Sequence, residues 1–70
     1  MYLDLHGCNK IEAKIKLDNY LNNTIYHEVS IIHGYSSNIL ANYVRKTYKH
    51  QRIKRKILTM NKGETIYLLK

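Results

Sequence analysis

Two segments of the chain end in the same pair of residues, His-Gly, and this repeat constrains the fold more than any other feature. The first, residues 2–6, alternates polar and apolar side chains, and the second, residues 28–33, has an apolar centre. Both patterns are typical of short β-strands. The residues between them have helical periodicity, and a strand–helix–strand unit joins parallel strands by a right-handed crossover. The repeat therefore predicts that His6 and His33 lie at the same carboxyl edge of one sheet.

The segment between these strands is predicted to form a helix that continues to about Ile25. Asn9 is a favoured N-cap residue, and Glu12 three positions later completes a capping box. One broad face of this helix is expected to be buried, and its members are Ile11, Ala13, Ile15, Leu17, Leu21 and Ile25.

A second helix is predicted from about Asn38 to Lys49, with Ser36 or Ser37 as its N-cap. Its expected apolar face consists of Ile39, Leu40, Tyr43, Val44 and Tyr48. Four tyrosines are expected in the core or at its rim with their hydroxyls reaching out, namely Tyr20, Tyr43, Tyr48 and Tyr67.

The last third of the chain has the pattern of two strands joined by a turn. Ile53, Ile57 and Leu58 mark the first strand, residues 61–63 are a turn signal, and residues 65–69 are apolar enough for a central strand. The element order is thus βαβαββ. The predicted fold class is α/β, a two-layer sandwich with a mixed four-stranded sheet and two helices.

Length limits what such a chain can do. Seventy residues exclude a barrel enzyme or a full dinucleotide-binding domain, because so short a chain buries only a small core. We expect a single domain over residues 1–70, either standing alone or excised from a longer protein. No apolar run approaches the roughly 20 residues of a membrane span. The single cysteine, Cys8, cannot form an intrachain disulfide, which favours a cytoplasmic location.

The charge is concentrated in the second part of the chain. Residues 1–41 carry three Lys against four carboxylates, whereas residues 42–70 carry nine Lys and Arg against one carboxylate. Such asymmetry favours a polyanionic partner, with nucleic acid first and an anionic membrane surface second. The alternative is a basic surface that only keeps the protein soluble.

The two His-Gly corners have the residue types of a phosphate-handling site. Histidine titrates near neutral pH, so two imidazoles can act as base and acid. Asp4 shares a strand face with His6, and helix N-termini beside the corners would supply backbone N–H groups to a phosphate. The alternative is that each histidine is a hydrogen-bonded structural residue and each glycine serves a tight turn.

The residues Leu3-Asp4-Leu5-His6-Gly7 and Ile31-Ile32-His33-Gly34 resemble the two signatures of the Smr (small MutS-related) domain family. The segments Glu12-Ala13 and Leu17-Asp18-Asn19-Tyr20-Leu21 add to the resemblance. It implies a fold similar to the C-terminal domain of bacterial translation initiation factor three. It also implies nucleic-acid binding, endonuclease activity on DNA or RNA in some members, and action on ribosomes in others.

The resemblance implies site residues as well. The Asp-x-His of the first signature falls on Asp4 and His6 as catalytic residues, and the second signature makes His33 a further catalytic or substrate-contacting residue. The full set expected to contact nucleic acid, from the resemblance and the basic segment together, is Gly7, Gly34, Tyr35, Ser36, Ser37, Arg45, Lys46, Lys49, Arg52, Lys54, Arg55 and Lys56.

The second signature is incomplete, because residues 35–38 lack the two glycines that follow His-Gly in the family. One outcome is that serine hydroxyls replace the lost backbone contacts and Tyr35 stacks on a base. The other is that the phosphate site is degraded and the domain only binds.

Three functions therefore stay open. The first is an endonuclease in which Asp4 orients His6 as general base and His33 binds the phosphate or acts as acid. RNA is favoured there because its 2′-hydroxyl is an internal nucleophile. The second is a non-catalytic module that binds RNA, the ribosome or branched DNA, and the third is a domain with a protein partner. No cofactor is predicted, a divalent metal at the histidines stays an open alternative, and the oligomeric state is monomer or undetermined.

Overall fold

A computed structural model describes residues 1–35 and 38–70. Its elements are β1 (Tyr2–Asp4), α1 (Lys10–Asn23), β2 (Glu28–Ile32), α2 (Asn38–Asn42), a π-helical segment (Tyr43–Thr47) that continues α2, β3 (Ile53–Leu58) and β4 (Glu64–Leu69). The predicted order βαβαββ is confirmed. The two serines predicted to cap the second helix, Ser36 and Ser37, lie outside the described residues.

The four strands form one mixed sheet in the order β1-β2-β4-β3. The strands β1 and β2 are parallel, with Leu3 opposite Ile31, while β4 is antiparallel to both β2 and β3. The last strand is therefore central, as its apolar character predicts. Because β1 and β2 are parallel, their carboxyl ends meet at one edge of the sheet, where Ile32 also faces Glu64 at the start of β4.

The capping box at the start of α1 is confirmed, but its buried face is narrower than predicted. The Asn9 side chain accepts a hydrogen bond from the Glu12 N–H at 2.8 Å, and the Glu12 carboxylate accepts one from the Asn9 N–H at 3.0 Å. Only the stripe of Ala13, Leu17 and Leu21 is buried. The prediction was wrong for three isoleucines, which are largely exposed, namely Ile11, Ile15 and Ile25. Positions four residues apart suffice to cover so small a sheet, and Ile25 lies beyond the end of the helix.

The second helix changes its winding halfway. Its last turn closes through a wide hydrogen bond from the Tyr48 N–H to the Tyr43 carbonyl at 2.7 Å, so the helical stretch ends at Thr47 rather than Lys49. Leu40, Val44 and Tyr48 are buried, whereas Ile39, predicted on the same face, is 65% exposed.

Two tyrosines tie the helices to the sheet. The rings of Tyr48 and Tyr67 stack nearly in parallel with centroids 6.3 Å apart. The Tyr48 hydroxyl donates to Asp18 on α1 at 2.6 Å, and the buried Tyr67 hydroxyl donates to the Val44 carbonyl at 2.6 Å. The expectation that these hydroxyls reach outward was therefore wrong for Tyr67, whose hydroxyl satisfies a helix carbonyl in the interior. Among the described residues, no helix is long and apolar enough to cross a membrane.

Candidate active site and nucleic-acid interface

The parallel pairing of β1 and β2 brings the two His-Gly corners together, as the sequence predicts. The Leu5 N–H donates to the Ile32 carbonyl at 2.7 Å and extends the ladder past the end of β1. A cavity of about 580 Å³ opens at this edge of the sheet. Its described lining consists of His6, Gly7, Cys8, Ile32, His33, Gly34, Tyr35 and Leu40.

Asp4 and His6 form a solvent-accessible pair at this cavity. The Asp4 Oδ1 atom accepts a hydrogen bond from the His6 backbone N–H at 3.0 Å and lies 3.0 Å from Nδ1 of the same residue. The His6 backbone N–H, followed by its ring, holds the pKa of Asp4 below its usual range. Asp4 is therefore ionised near neutral pH, and an ionised carboxylate accepts the Nδ1 proton and leaves Nε2 to act as the base.

The two glycines of the corners are favoured by their backbone conformation rather than by lack of space. Gly7 and Gly34 have φ angles of 81° and 84°, a left-handed conformation that disfavours any side chain. A Cβ atom added at Gly34 would lie 3.5 Å from the His6 Cβ atom, so the second corner forms a wall directly beside His6. The Gly34 N–H already donates to the Gly63 carbonyl at 3.1 Å, which engages it within the protein rather than with a phosphate.

His33 is buried, with 2% of its surface exposed, in contrast to His6. Its Nδ1 lies 3.3 Å from the Gly34 carbonyl oxygen, and its Nε2 lies 3.0 Å from the Thr65 hydroxyl. The Thr65 oxygen also accepts a hydrogen bond from Arg45 Nε at 2.8 Å. These three hydrogen bonds form a chain from Arg45 through Thr65 and His33 to the Gly34 turn.

The hydrogen-bond chain determines which nitrogen of His33 carries the proton. A carbonyl only accepts, so Nδ1–H must donate to Gly34, and neutral His33 then accepts the Thr65 hydroxyl proton at Nε2. Burial lowers the pKa of His33, and the nearby charge of Arg45 lowers it further despite the Gly34 carbonyl and Glu64. His33 is therefore neutral at pH 7 and orients the Gly34 turn.

We expect acid to destabilise the protein through His33. The folded state binds a proton at His33 less readily than the unfolded chain, so the free energy of unfolding should fall as pH drops below 6.5, the ordinary histidine value. The slope from this group is at most about 1.4 kcal/mol per pH unit. The pKa values of Asp4 and Asp18 are lowered from 3.8, so those carboxylates titrate outside this window.

Urea unfolding at several pH values between 7.5 and 5 measures this effect. The variant His33→Gln, which does not titrate, should have a flatter dependence than the wild type. Equal slopes for the two proteins would refute the assignment of the effect to His33.

Three basic side chains predicted to contact nucleic acid are engaged within the protein. Arg45 also donates to the Glu64 carbonyl at 2.8 Å. The Arg52 guanidinium donates to the Leu21 and Thr24 carbonyls at 2.9 and 2.6 Å, where it caps the C-terminal end of α1. Lys56 donates to the Tyr48 carbonyl. These hydrogen bonds within the protein use part of the donor capacity that the sequence prediction assigned to nucleic acid.

Other predicted contacts have exposed side chains. Tyr35 is 74% exposed at the mouth of the cavity, which suits the predicted stacking. Four of the basic residues predicted to contact nucleic acid are exposed, namely Lys46, Lys49, Lys54 and Arg55. Within the described residues, the Lys–carboxylate ion pair is Lys14–Asp18, and no ion pair involves the basic residues of positions 42–70. The predicted contacts at Ser36 and Ser37 fall outside the described residues.

Two residues that support His33, Thr65 and Gly63, were not predicted as part of the site. Thr65 lies opposite Ile31 on β2 and reaches His33 from there, and the Gly63 carbonyl accepts the His33 N–H at 2.9 Å. The inward position of Thr65 within an alternating strand was the available signal, but its partner depends on the strand register. Among the described residues, no group of three or more His, Cys, Asp or Glu side chains is placed to hold a metal ion.

One of the comparisons with known proteins found a match over most of the chain. The family model described as the Smr domain matches residues 3–65. No curated protein and no solved structure gave a significant match. The match includes both His-Gly corners, all of α1 and the hairpin up to Thr65. The chain therefore belongs to the Smr domain family, which is associated with nucleic-acid binding or nuclease activity.

Proposed function

We propose that this domain is an endonuclease that binds RNA at the cavity between its two His-Gly corners and cleaves it with His6 as general base. The observation that carries this proposal is the accessible Asp4–His6 pair. The carboxylate holds Nδ1 at 3.0 Å, and the second ring nitrogen is free of protein hydrogen bonds in the described part of the chain. This is the arrangement in which a carboxylate fixes the tautomer and orientation of a catalytic histidine.

The reaction needs no covalent intermediate on the protein. His6 Nε2 takes the proton of a ribose 2′-hydroxyl, and the resulting oxygen attacks the adjacent phosphorus. The bond from phosphorus to the 5′-oxygen breaks, and that oxygen takes a proton from water. The products are a 2′,3′-cyclic phosphate and a 5′-hydroxyl end. Asp4 stabilises the imidazolium that forms on His6, and His6 later releases the proton from Nε2 to solvent.

We assign His33 a positioning role in this proposal. The single ring proton of this neutral, buried imidazole is engaged with the Gly34 carbonyl, and Nε2 accepts the Thr65 hydroxyl, so neither nitrogen has a free proton for a leaving group. It fixes the Gly34 turn, which forms the wall beside His6. The exposed Tyr35 at the same cavity is the candidate for stacking on a base.

The substrate test compares three oligonucleotides of one sequence: RNA, DNA, and RNA with 2′-O-methyl ribose. We expect cleavage of RNA alone, with cyclic-phosphate ends, because the other two lack the attacking hydroxyl. Cleavage of the DNA or the 2′-O-methyl oligonucleotide at a similar rate would refute the 2′-hydroxyl mechanism. A branched DNA in the same series tests the DNA-cleaving alternative.

The second candidate function is a binding module for RNA, the ribosome or branched DNA that performs no chemistry. It is favoured by the incomplete second signature and by the engagement of the Gly34 N–H with Gly63. Salt-dependent binding without cleavage of any substrate would select this function over the nuclease. Binding to no nucleic acid would leave the third function, a protein partner.

A further inference from the structure

A second cavity lies at the opposite end of the second helix from the His6 cavity. It has a volume of about 290 Å³, and its described lining consists of Tyr48, Lys49, His50, Ile53 and Lys56. The His6 cavity includes Leu40 near the start of α2, whereas this one begins at Tyr48, directly after the π-helical segment. The two cavities therefore share no residue.

The ammonium group of Lys56 is half-buried in this second cavity without a carboxylate partner. It donates one hydrogen bond to the Tyr48 carbonyl and lies 5.5 Å from the centre of the Tyr67 ring. Burial lowers the pKa of Lys56, and the positive charge of Lys49 lowers it further. A carboxylate contact would act in the opposite direction. A desolvated cation beside a like charge favours an anionic ligand.

The carboxylate that contacts the Tyr48 hydroxyl already has two partners. Asp18 accepts from Lys14 at 2.6 Å through one oxygen and from the Tyr48 hydroxyl at 2.6 Å through the other. Its ion pair is with Lys14 and not with Lys56. Two cations and no free carboxylate in the described lining distinguish this cavity from an ordinary solvated surface, in which charges of both signs are mixed.

In the described lining of the cavity, the side-chain hydrogen-bond donors available to a ligand are the ammonium groups of the two lysines. His50 accepts the Arg52 N–H at Nδ1, 3.1 Å away, and its Nε2 donates to the Asn22 side-chain oxygen at 2.8 Å. Its ring stacks on Tyr48 with centroids 6.5 Å apart and forms a wall. Both ring nitrogens of His50 are satisfied, so a bound anion would be held by the ammonium groups of Lys49 and Lys56.

We propose that the cavity between Lys49 and Lys56 is a second phosphate site, which holds a backbone phosphate of the RNA strand whose scissile bond lies at His6. Leu40 lines the His6 cavity and Tyr48 lines the second one, so eight residue steps along the second helix separate the two linings. At about 1.5 Å per residue this is roughly 12 Å. At about 3.4 Å per nucleotide of one strand, this corresponds to roughly three to four nucleotides. Lys46 is exposed on the intervening segment. The assignment of the bound phosphate to RNA rests on the proposed function, whereas the existence of the anion site does not.

Binding of a labelled RNA dodecamer at several salt concentrations tests the site. We compare Lys56→Gln and Lys49→Gln with Lys54→Gln, which removes the same charge from an exposed neighbour on β3. Each site variant should flatten the slope of log affinity against log salt by about 0.7, the value for one phosphate of a single strand. Lys54→Gln should flatten it less. Equal losses in all three variants would show a diffuse basic surface and overturn the site.

Two further measurements separate this inference from the proposed function. Titration with inorganic phosphate should shift the amide resonances around Tyr48, His50 and Ile53 saturably in the wild type and not in Lys56→Gln. The affinity for RNA should rise when the oligonucleotide is extended beyond about four nucleotides, and this rise should be lost in Lys56→Gln. Absence of both effects in a protein that still cleaves RNA overturns the second site and leaves the nuclease intact. Phosphate binding in a protein that neither binds nor cleaves RNA overturns the nucleic-acid source of the ligand and the proposed function together.

Discussion

Replacement of His6 by alanine is expected to lower the rate of RNA cleavage by a factor of about 10²–10⁴, the usual contribution of a general base. The variant removes the imidazole that takes the 2′-hydroxyl proton, while its exposed position leaves the core unchanged. RNA affinity should change little, because the predicted phosphate contacts are made by other side chains. Single-turnover cleavage of a labelled RNA, together with binding and urea unfolding of the same preparation, measures all three effects.

The matched control is His27→Ala. His27 is also exposed, but it precedes β2 and so lies at the opposite edge of the sheet from His6. Its substitution should leave cleavage unchanged. The variant Asp4→Asn should reduce cleavage less completely than His6→Ala, because an amide can still contact Nδ1 but no longer fixes its proton. A loss of less than about tenfold in His6→Ala, which is well short of the general-base range, would contradict the role of His6.

Replacement of Thr65 by valine is expected to lower the free energy of unfolding by about 2–5 kcal/mol, because it removes the hydrogen-bond partner of one buried and one half-buried group. These groups are Nε of Arg45 and Nε2 of His33, which the Thr65 hydroxyl joins at 2.8 and 3.0 Å. A domain of this size has a total stability of roughly 4–10 kcal/mol, so a large part of it depends on one hydroxyl. Urea or thermal unfolding monitored by circular dichroism measures the loss.

Two variants distinguish loss of the hydroxyl from a general effect of substitution. Thr65→Ser keeps the hydroxyl and should retain most of the stability and the cleavage activity. Thr47→Val makes the same chemical change at an exposed position of the π-helical segment and should be nearly neutral. If Thr65→Val were as stable as the wild type, the chain from Arg45 to Gly34 would not support the fold.

The sequence predicted the element order and the parallel pairing correctly, because both follow from local patterns. Alternation around Asp4 and the capping box of Asn9 and Glu12 are encoded within a few residues. The extent of the buried faces could not be predicted in the same way. Ile11 and Ile15 match the helical period but are exposed, because the small sheet accommodates only the stripe that contains Leu17.

The candidate site was predicted in part. The approach of His6 to Gly34 follows from parallel strands that both end in His-Gly, and the structure confirms that both line one cavity. The difference between the two histidines could not be predicted. His33 is hydrogen-bonded to Thr65, which in turn contacts Arg45, and both of these residues are more than ten positions away in the sequence. Such contacts depend on strand register and side-chain packing.

By itself, the sequence determined the fold class, the shared edge of the two His-Gly corners and the excess of positive charge after residue 41, since each depends on local composition or spacing. The tertiary structure decided what each charged or titratable side chain does. In the folded protein, His6 is exposed, whereas His33 is buried within a chain of hydrogen bonds. Arg45 and Arg52 donate to backbone carbonyls. Burial and hydrogen-bond partners set these roles, and both arise only when distant segments pack together.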